Sequence, residues 1–176
     1  DFENYDLITP TAKISVPTHG GRAKCLQRLV RLDLPVPKTV ALSFDAIKGI
    51  VSGKMPDLID ILSNFDKEDT LCVRPSSESI DWGGPGAVLN IGMNDDRCSH
   101  LSKYIGEKAA SELYFRFIQA YSVSVARLDP DVFDHITGEN GNSVSTALAT
   151  YKDEMDESFP QSIQHQLSEV LRSMAR

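Results

Sequence analysis

The sequence predicts an α+β fold: a small sheet with covering helices, followed by a mostly helical C-terminal half. Three observations predict it. Short apolar runs bounded by turn residues, at 39–42, 71–73 and 88–91, read as strands, and all lie before residue 94. Beyond that point Leu113, Phe117, Ala120, Tyr121 and Val125 recur at intervals of three and four, the spacing of a helix face. Three strands with most helices after them do not complete a doubly wound sheet, and a sheet needs its edges covered. The chain therefore reads as a lobe of something larger. An α/β lobe is expected over 1–94 and a helical subdomain over 95–176.

The elements follow in order. Residues 1–18 are polar and hold two prolines, so they read as an extended arm or short strand. His19-Gly20-Gly21 reads as a turn. From Gly21 to Arg31, Ala23, Leu26, Leu29 and Val30 mark an amphipathic helix with a basic polar face. Pro35 and Pro37 close it, because proline disfavours helix at the residue before it. The strand at 39–42 comes next, and Ser43 or Asp45 caps a helix over 46–51. Met55-Pro56-Asp57 opens another helix, and a charged turn leads to the strand at 70–73. After the strand at 88–91, one long helical region is expected from about Ser99 to Leu128. Asp129-Pro130 caps a short helix. Two more helices occupy 143–156 and the segment carrying Ile163, Leu167, Val170, Leu171 and Met174. Tyr114, Phe117, Ile118 and Tyr121 read as core. Asp95 and Asp96 read as a helix cap rather than a metal pair.

Composition narrows the function. The 176 residues are 41% hydrophobic and 24% charged, with net charge −7. An acidic chain is a poor general partner for nucleic acid or an anionic membrane. No stretch approaches the roughly 20 apolar residues of a membrane span. The N-terminus has no signal-peptide pattern and no initiating Met, so the chain is expected to begin inside a longer, cytoplasmic product. Cys25, Cys72 and Cys98 are widely spaced and read as reduced thiols. The four histidines show no metal-ligand spacing.

The most chemical stretch is Arg74-Pro75-Ser76-Ser77-Glu78-Ser79 running into Gly83-Gly84-Pro85-Gly86. An arginine delivered by a strand to a hydroxyl- and glycine-rich loop suits a polyanion. Its guanidinium is a fixed, always-charged fork for phosphate oxygens, and glycines admit close backbone approach. The competing reading of Arg74 is an ion pair with a carboxylate such as Glu78. Arg22 and Lys24 divide between phosphate contact and a solvated helix face, the former helped by a glycine-led helix N-terminus. Ser76, Ser77 and Ser79 read as a turn with local backbone bonds, and Trp82 as packing.

These residues carry a resemblance. Gly20-Gly21-Arg22-Ala23-Lys24-Cys25-Leu26, followed by Leu32-Asp33-Leu34-Pro35-Val36-Pro37, resembles the GGKGANL…LGLPVPPGF pattern of the pyruvate phosphate dikinase family. Val73-Arg74-Pro75-Ser76-Ser77 resembles its SVRSGA or VRSSA. Val88-Leu89-Asn90-Ile91-Gly92-Met93-Asn94 resembles the end of PGMMDTVLNLGLN. Tyr114-Phe115-Arg116-Phe117-Ile118-Gln119 resembles SYRRFIQ, and Phe159-Pro160-Gln161 resembles FPQ. Phosphoenolpyruvate synthase is a more distant resemblance.

The resemblance implies an incomplete ATP-grasp lobe, the N-terminal part of an ATP-binding domain. In the intact enzyme ATP phosphorylates a histidine that passes phosphate on to pyruvate. Arg74 matches the family's phosphate-contacting arginine, and Arg22 stands at its lysine position, with Lys24 two residues on. The family's acid and threonine fall at Gly86 and Ala87, so backbone N–H groups around Gly83, Gly84 and Gly86 are left as the phosphate cradle. No catalytic residue and no metal ligand is expected in this chain; Mg²⁺ would be held by the half that is missing. Expected partners are ATP and the remaining domains, with a homodimer left open. The chain alone is expected to be inactive. The alternative is a non-catalytic nucleotide-sensing or protein-interaction module derived from that family.

Overall fold

A computed structural model of the chain describes residues 5–77, 86–136 and 143–175. The fold is α+β, with four short strands and seven α-helices among the described residues. The chain divides into two compact units that interleave in sequence. One comprises Asp1–Asp66, Arg74–Gly86 and Met174–Arg176, and the other Lys67–Val73 and Ala87–Ser173.

In the first unit, β1 (Asp6–Leu7) pairs antiparallel with β2 (Val40–Ala41), Asp6 facing Ala41 and Leu7 facing Val40. Ile8 N–H extends the ladder to the Thr39 carbonyl at 2.9 Å. Helix α1 (Val16–Arg31) begins five residues before the sequence expectation. Ser15 stands at its N-cap, with its N–H on Thr18 Oγ1 at 3.2 Å. The expected turn at 19–21 survives as a break inside α1, where Gly20 has φ 84° and ψ 168°. The side of α1 facing the arm buries Ala23 against Ile8, Ile14 and Ala41. Gln27, fully buried, donates to the Thr9 and Ala12 carbonyls at 3.1 and 2.6 Å. The arm is thereby fastened by both apolar contact and buried hydrogen bonds. Helices α2 (Phe44–Val51) and α3 (Leu58–Leu62) start at Ser43 and Asp57, whose side chains accept from Ala46 and Asp60 N–H.

The second unit pairs β3 (Leu71–Val73) antiparallel with β4 (Val88–Ile91). Leu71 faces Ile91 and Val73 faces Val88, so β4 carries one extra residue and bulges. Asn90 takes φ 61° there, a conformation asparagine tolerates better than most residues. The expected three-stranded sheet is thus replaced by two separate pairs. The reason is that β2 takes the N-terminal arm as its partner and β3 takes β4.

The expected single helix over 99–128 is two helices, α4 (Asp95–Ile105) and α5 (Glu107–Ser124). Gly106 at φ 91° parts them, a backbone that no helix continues through. The cap is Asn94, whose side chain accepts from Arg97 N–H at 2.7 Å; Asp95 instead accepts from Tyr114 OH at 2.6 Å. A single 3₁₀ turn (Pro130–Phe133), α6 (Ser143–Met155) and α7 (Ile163–Met174) complete the unit.

Ala110, Tyr114, Phe117, Ile118 and Tyr121 of α5 are at most 2% exposed, as the helix-face spacing predicts. Phe159 lies at the centre of their aromatic cluster, with ring centroids 5.2 to 6.3 Å from Tyr151, Tyr121, Phe117 and Tyr114. Gln166, fully buried, accepts from Gly92 N–H at 2.8 Å and donates to the Met93 and Pro160 carbonyls at 2.9 and 2.7 Å. One amide thus ties α7 to the end of β4 and to the segment before α7.

Two predictions follow from this core. Phe159→Ala removes the ring that four others pack against, and urea unfolding should register a loss of about 3–5 kcal/mol. A change below about 1 kcal/mol would mean that the cluster can close over the gap.

Burial first, then the charges of Glu157 and Glu169, pushes the Tyr151 phenol up to about 12. Burial first, then neighbouring groups, also raises Tyr114 and Tyr121. The folded-state values lie above the ordinary tyrosine value of 10.0, so the fold favours the neutral phenols. The contribution of Tyr151 is complete below about pH 10 and is lost as pH rises through about 12. The denaturant midpoint should fall across that window, and Tyr151→Phe should flatten the fall.

Candidate functional site

The segment after β3 lies against the break in α1, within the first unit. Gly20 makes the contact possible. Its φ of 84° with ψ of 168° belongs to a region that is essentially glycine's alone. A Cβ at position 20 would stand 2.5 Å from the Ser76 carbonyl oxygen and 2.6 Å from Ser76 Oγ. Ser76 Oγ donates to the His19 carbonyl at 2.6 Å and accepts from Ala23 N–H at 3.1 Å. Gly21 N–H donates to the Ser77 carbonyl at 2.9 Å. Ser76 is therefore no local turn serine: its partners lie 53 and 57 residues away.

His19 is 4% exposed and held on both ring nitrogens. Nδ1 lies 2.7 Å from Thr18 Oγ1, and Nε2 lies 2.8 Å from Asp6 Oδ2. The peptide group that receives the Ser76 hydroxyl thus belongs to a residue anchored to the helix start and to β1.

The cations divide by role. Arg22 and Arg74 are both exposed, and neither guanidinium has an ion-pair partner among the described residues. Glu78, the proposed competitor for Arg74, lies outside the described residues. Arg22 sits between Gly21 and Ala23, the two residues bonded to the 76–77 segment, and Arg74 precedes Ser76 by two. Lys24 is half-buried. Its ammonium donates to the Ile14 carbonyl at 3.0 Å and to Gln27 Oε1 at 2.9 Å, and so fastens the arm. Arg31 Nε does the same for the Pro10 carbonyl at 2.9 Å. Part of the basic face of α1 is therefore engaged with the chain's own backbone.

Two of the N–H groups that the glycine-led helix end would offer an anion, those of Gly21 and Ala23, are engaged by Ser77 and Ser76. Charged side chains rather than backbone amides are what this end presents. Gly86 is exposed, and among the described residues a Cβ there would meet nothing within 4 Å. No described neighbour demands glycine at 86. Gly83, Gly84, Ser79 and Trp82 lie outside the described residues. Among the described residues no three of His, Cys, Asp and Glu cluster as around a metal ion, and no helix is long and apolar enough to cross a membrane. A shallow depression of about 320 Å³ lies in the second unit, lined by Glu157, Ser158, Pro160, Gln161, Ser162 and His165, and includes none of the expected site residues.

Sequence reasoning singled out the arginines and the glycine pair but missed Ser76, His19 and Asp6 as one network. The only signal was a histidine directly before two glycines. Its partner Asp6 is 13 residues upstream in a segment read as an arm.

No family model matches the chain. Two curated relatives do, both pyruvate, phosphate dikinases, from Rickettsia felis and Rickettsia conorii. Each is 34% identical over 67 residues, covering 38% of this chain and 8% of the relative. The chain is thus distantly related to the dikinases and spans a small part of their length.

Gly20→Ala sets an L side chain in a backbone worth on the order of 1–3 kcal/mol of strain, and drives its Cβ into Ser76. The unfolding free energy should drop by about 3 kcal/mol or more, whereas Gly86→Ala should stay within about 0.5 kcal/mol of the parent. Equal effects at the two positions in chemical denaturation would contradict the geometry.

Proposed function

We propose that the chain is the N-terminal portion of the ATP-binding domain of a cytoplasmic, pyruvate phosphate dikinase-like phosphotransferase. The observation that carries this reading is the pair of exposed guanidinium groups, Arg22 and Arg74, neither with an ion-pair partner among the described residues, on two segments bonded to each other. The 67-residue similarity to dikinases supports it. In the intact protein ATP would phosphorylate a histidine and the phosphoryl group would go on to pyruvate. This chain's part is binding. Arg74 would grip phosphate oxygens with its planar fork, Arg22 would add a second fork where the family has a lysine, and Lys24 would hold the arm beneath them. Gly83, Gly84 and Gly86 would let the loop approach the phosphates. Among the described residues no carboxylate cluster stands to hold magnesium, and its ligands would come from the rest of the protein.

A second reading is favoured by Gly86 and Ala87. They supply neither acid nor hydroxyl, and no described neighbour compels glycine at 86. A nucleotide-sensing module that binds without transferring phosphate would present this loop.

Calorimetric titration of ATP into the protein containing this chain tests the first point. Arg74→Ala should weaken binding about tenfold, the value of one charge-assisted contact. Unchanged affinity would remove the nucleotide reading. ATP-dependent histidine phosphorylation separates the two readings: the phosphotransferase shows it, and the module binds ATP without it.

A further inference from the structure

We infer that Ser76 is the positioning residue of the site, the brace that sets Arg74 and Arg22 to act on one polyphosphate. This rests on the phosphate reading of those arginines. Arg74 is joined to Ser76 through Pro75 alone. Proline locks its own φ near −65°, and it confines the residue before it to extended backbone. The path from the Ser76 anchor to the Arg74 Cα is therefore short and stiff.

The anchor itself is double. The hydroxyl gives its proton to the His19 carbonyl and takes the Ala23 N–H, so it spans the α1 break from one side to the other. Ser77 adds a backbone bond to Gly21. His19 does not yield, because Thr18 and Asp6 hold its ring and it is 4% exposed. Arg22 is set between the two bonded residues, Gly21 and Ala23. Both guanidinium groups are thus referred to one hydroxyl, and both heads remain exposed. A serine serving only a turn would bond its own neighbours. This one instead replaces the helix cap that Gly20 lacks.

The ligand class is a polyphosphate tail, whose several oxygens admit two forks at once. Removal of the hydroxyl should cost binding by uncoupling the two arginines rather than by removing a contact to ligand.

The test is calorimetric binding of inorganic tripolyphosphate to the protein containing this chain, with thermal unfolding in parallel. Variants are Arg22→Ala, Arg74→Ala, the double variant, each repeated with Ser76→Ala, and Ile50→Ala as a control. Ile50 is a buried residue of α2, so its truncation lowers stability without touching the junction. In the unaltered protein the two arginine losses should be less than multiplicative, because both groups hold one ligand. Ser76→Ala should weaken binding about tenfold and render the arginine effects multiplicative. Ile50→Ala should lower the melting temperature and leave binding unchanged.

If Arg74→Ala weakens binding and Ser76→Ala does not, the brace is refuted and the phosphate reading stands. If Ile50→Ala weakens binding as much as Ser76→Ala, the effect is stability alone and the brace is refuted. If the unaltered protein binds no tripolyphosphate, or Arg74→Ala binds as well as the parent, both fall.

Discussion

The junction at Gly20 and Ser76 is the constraint on which the polar arrangement of the first unit depends. A helix interrupted midway strands a carbonyl before the break and an amide after it. One hydroxyl satisfies both, and it reaches them only because position 20 has no side chain. The magnitudes rank the two contributions. A net hydrogen bond is worth about 1 kcal/mol, whereas a non-glycine residue held in the Gly20 backbone costs on the order of 1–3 kcal/mol before any clash is counted. The glycine's freedom therefore decides whether the junction exists, and the serine decides how firmly it is held.

The second unit is organised differently, by shape rather than by a polar bridge. Phe159 comes from the segment between α6 and α7 and is surrounded by rings from α5 and α6 in edge-on packing. Such geometry favours the aromatic quadrupoles over face-to-face stacking. Gln166 then settles the one polar demand inside, since its acceptor and both donors are used. A buried amide so fully satisfied adds specificity without the penalty of an orphaned group.

How much was legible in the sequence follows from the range of each interaction. Caps and helix faces are local, and Ser43, Asp57 and the α5 stripe lie where spacing alone puts them. Strand β4 matches its apolar run for the same reason. Pairing is not local, and β2 chose Asp6–Leu7 rather than another central strand, because Ile8 and Ile14 bury against α1 and bring the arm with them. The helix over 99–128 was overextended because the apolar rhythm runs on through Gly106, and only its positive φ marks the division. At the site, charge was legible and connection was not. Arg74 and Arg22 stand out by residue type. Ser76 is ordinary in sequence, and its importance lies in partners more than fifty residues away.

The opening residues of the chain have a consequence for how it is handled. Asp6 reaches the ring of His19, Tyr5 OH reaches the Asp60 carboxylate at 2.7 Å, and Leu7 pairs with Val40. A proteolytic nick or trimmed expression boundary just after these positions would cut three tethers at once. It would leave the buried His19 ring without the Asp6 carboxylate that its Nε2 contacts, directly beside the glycine pair. Tyr5, Asp6 and Leu7 are therefore part of the folded first unit, and a boundary placed after them would remove these contacts.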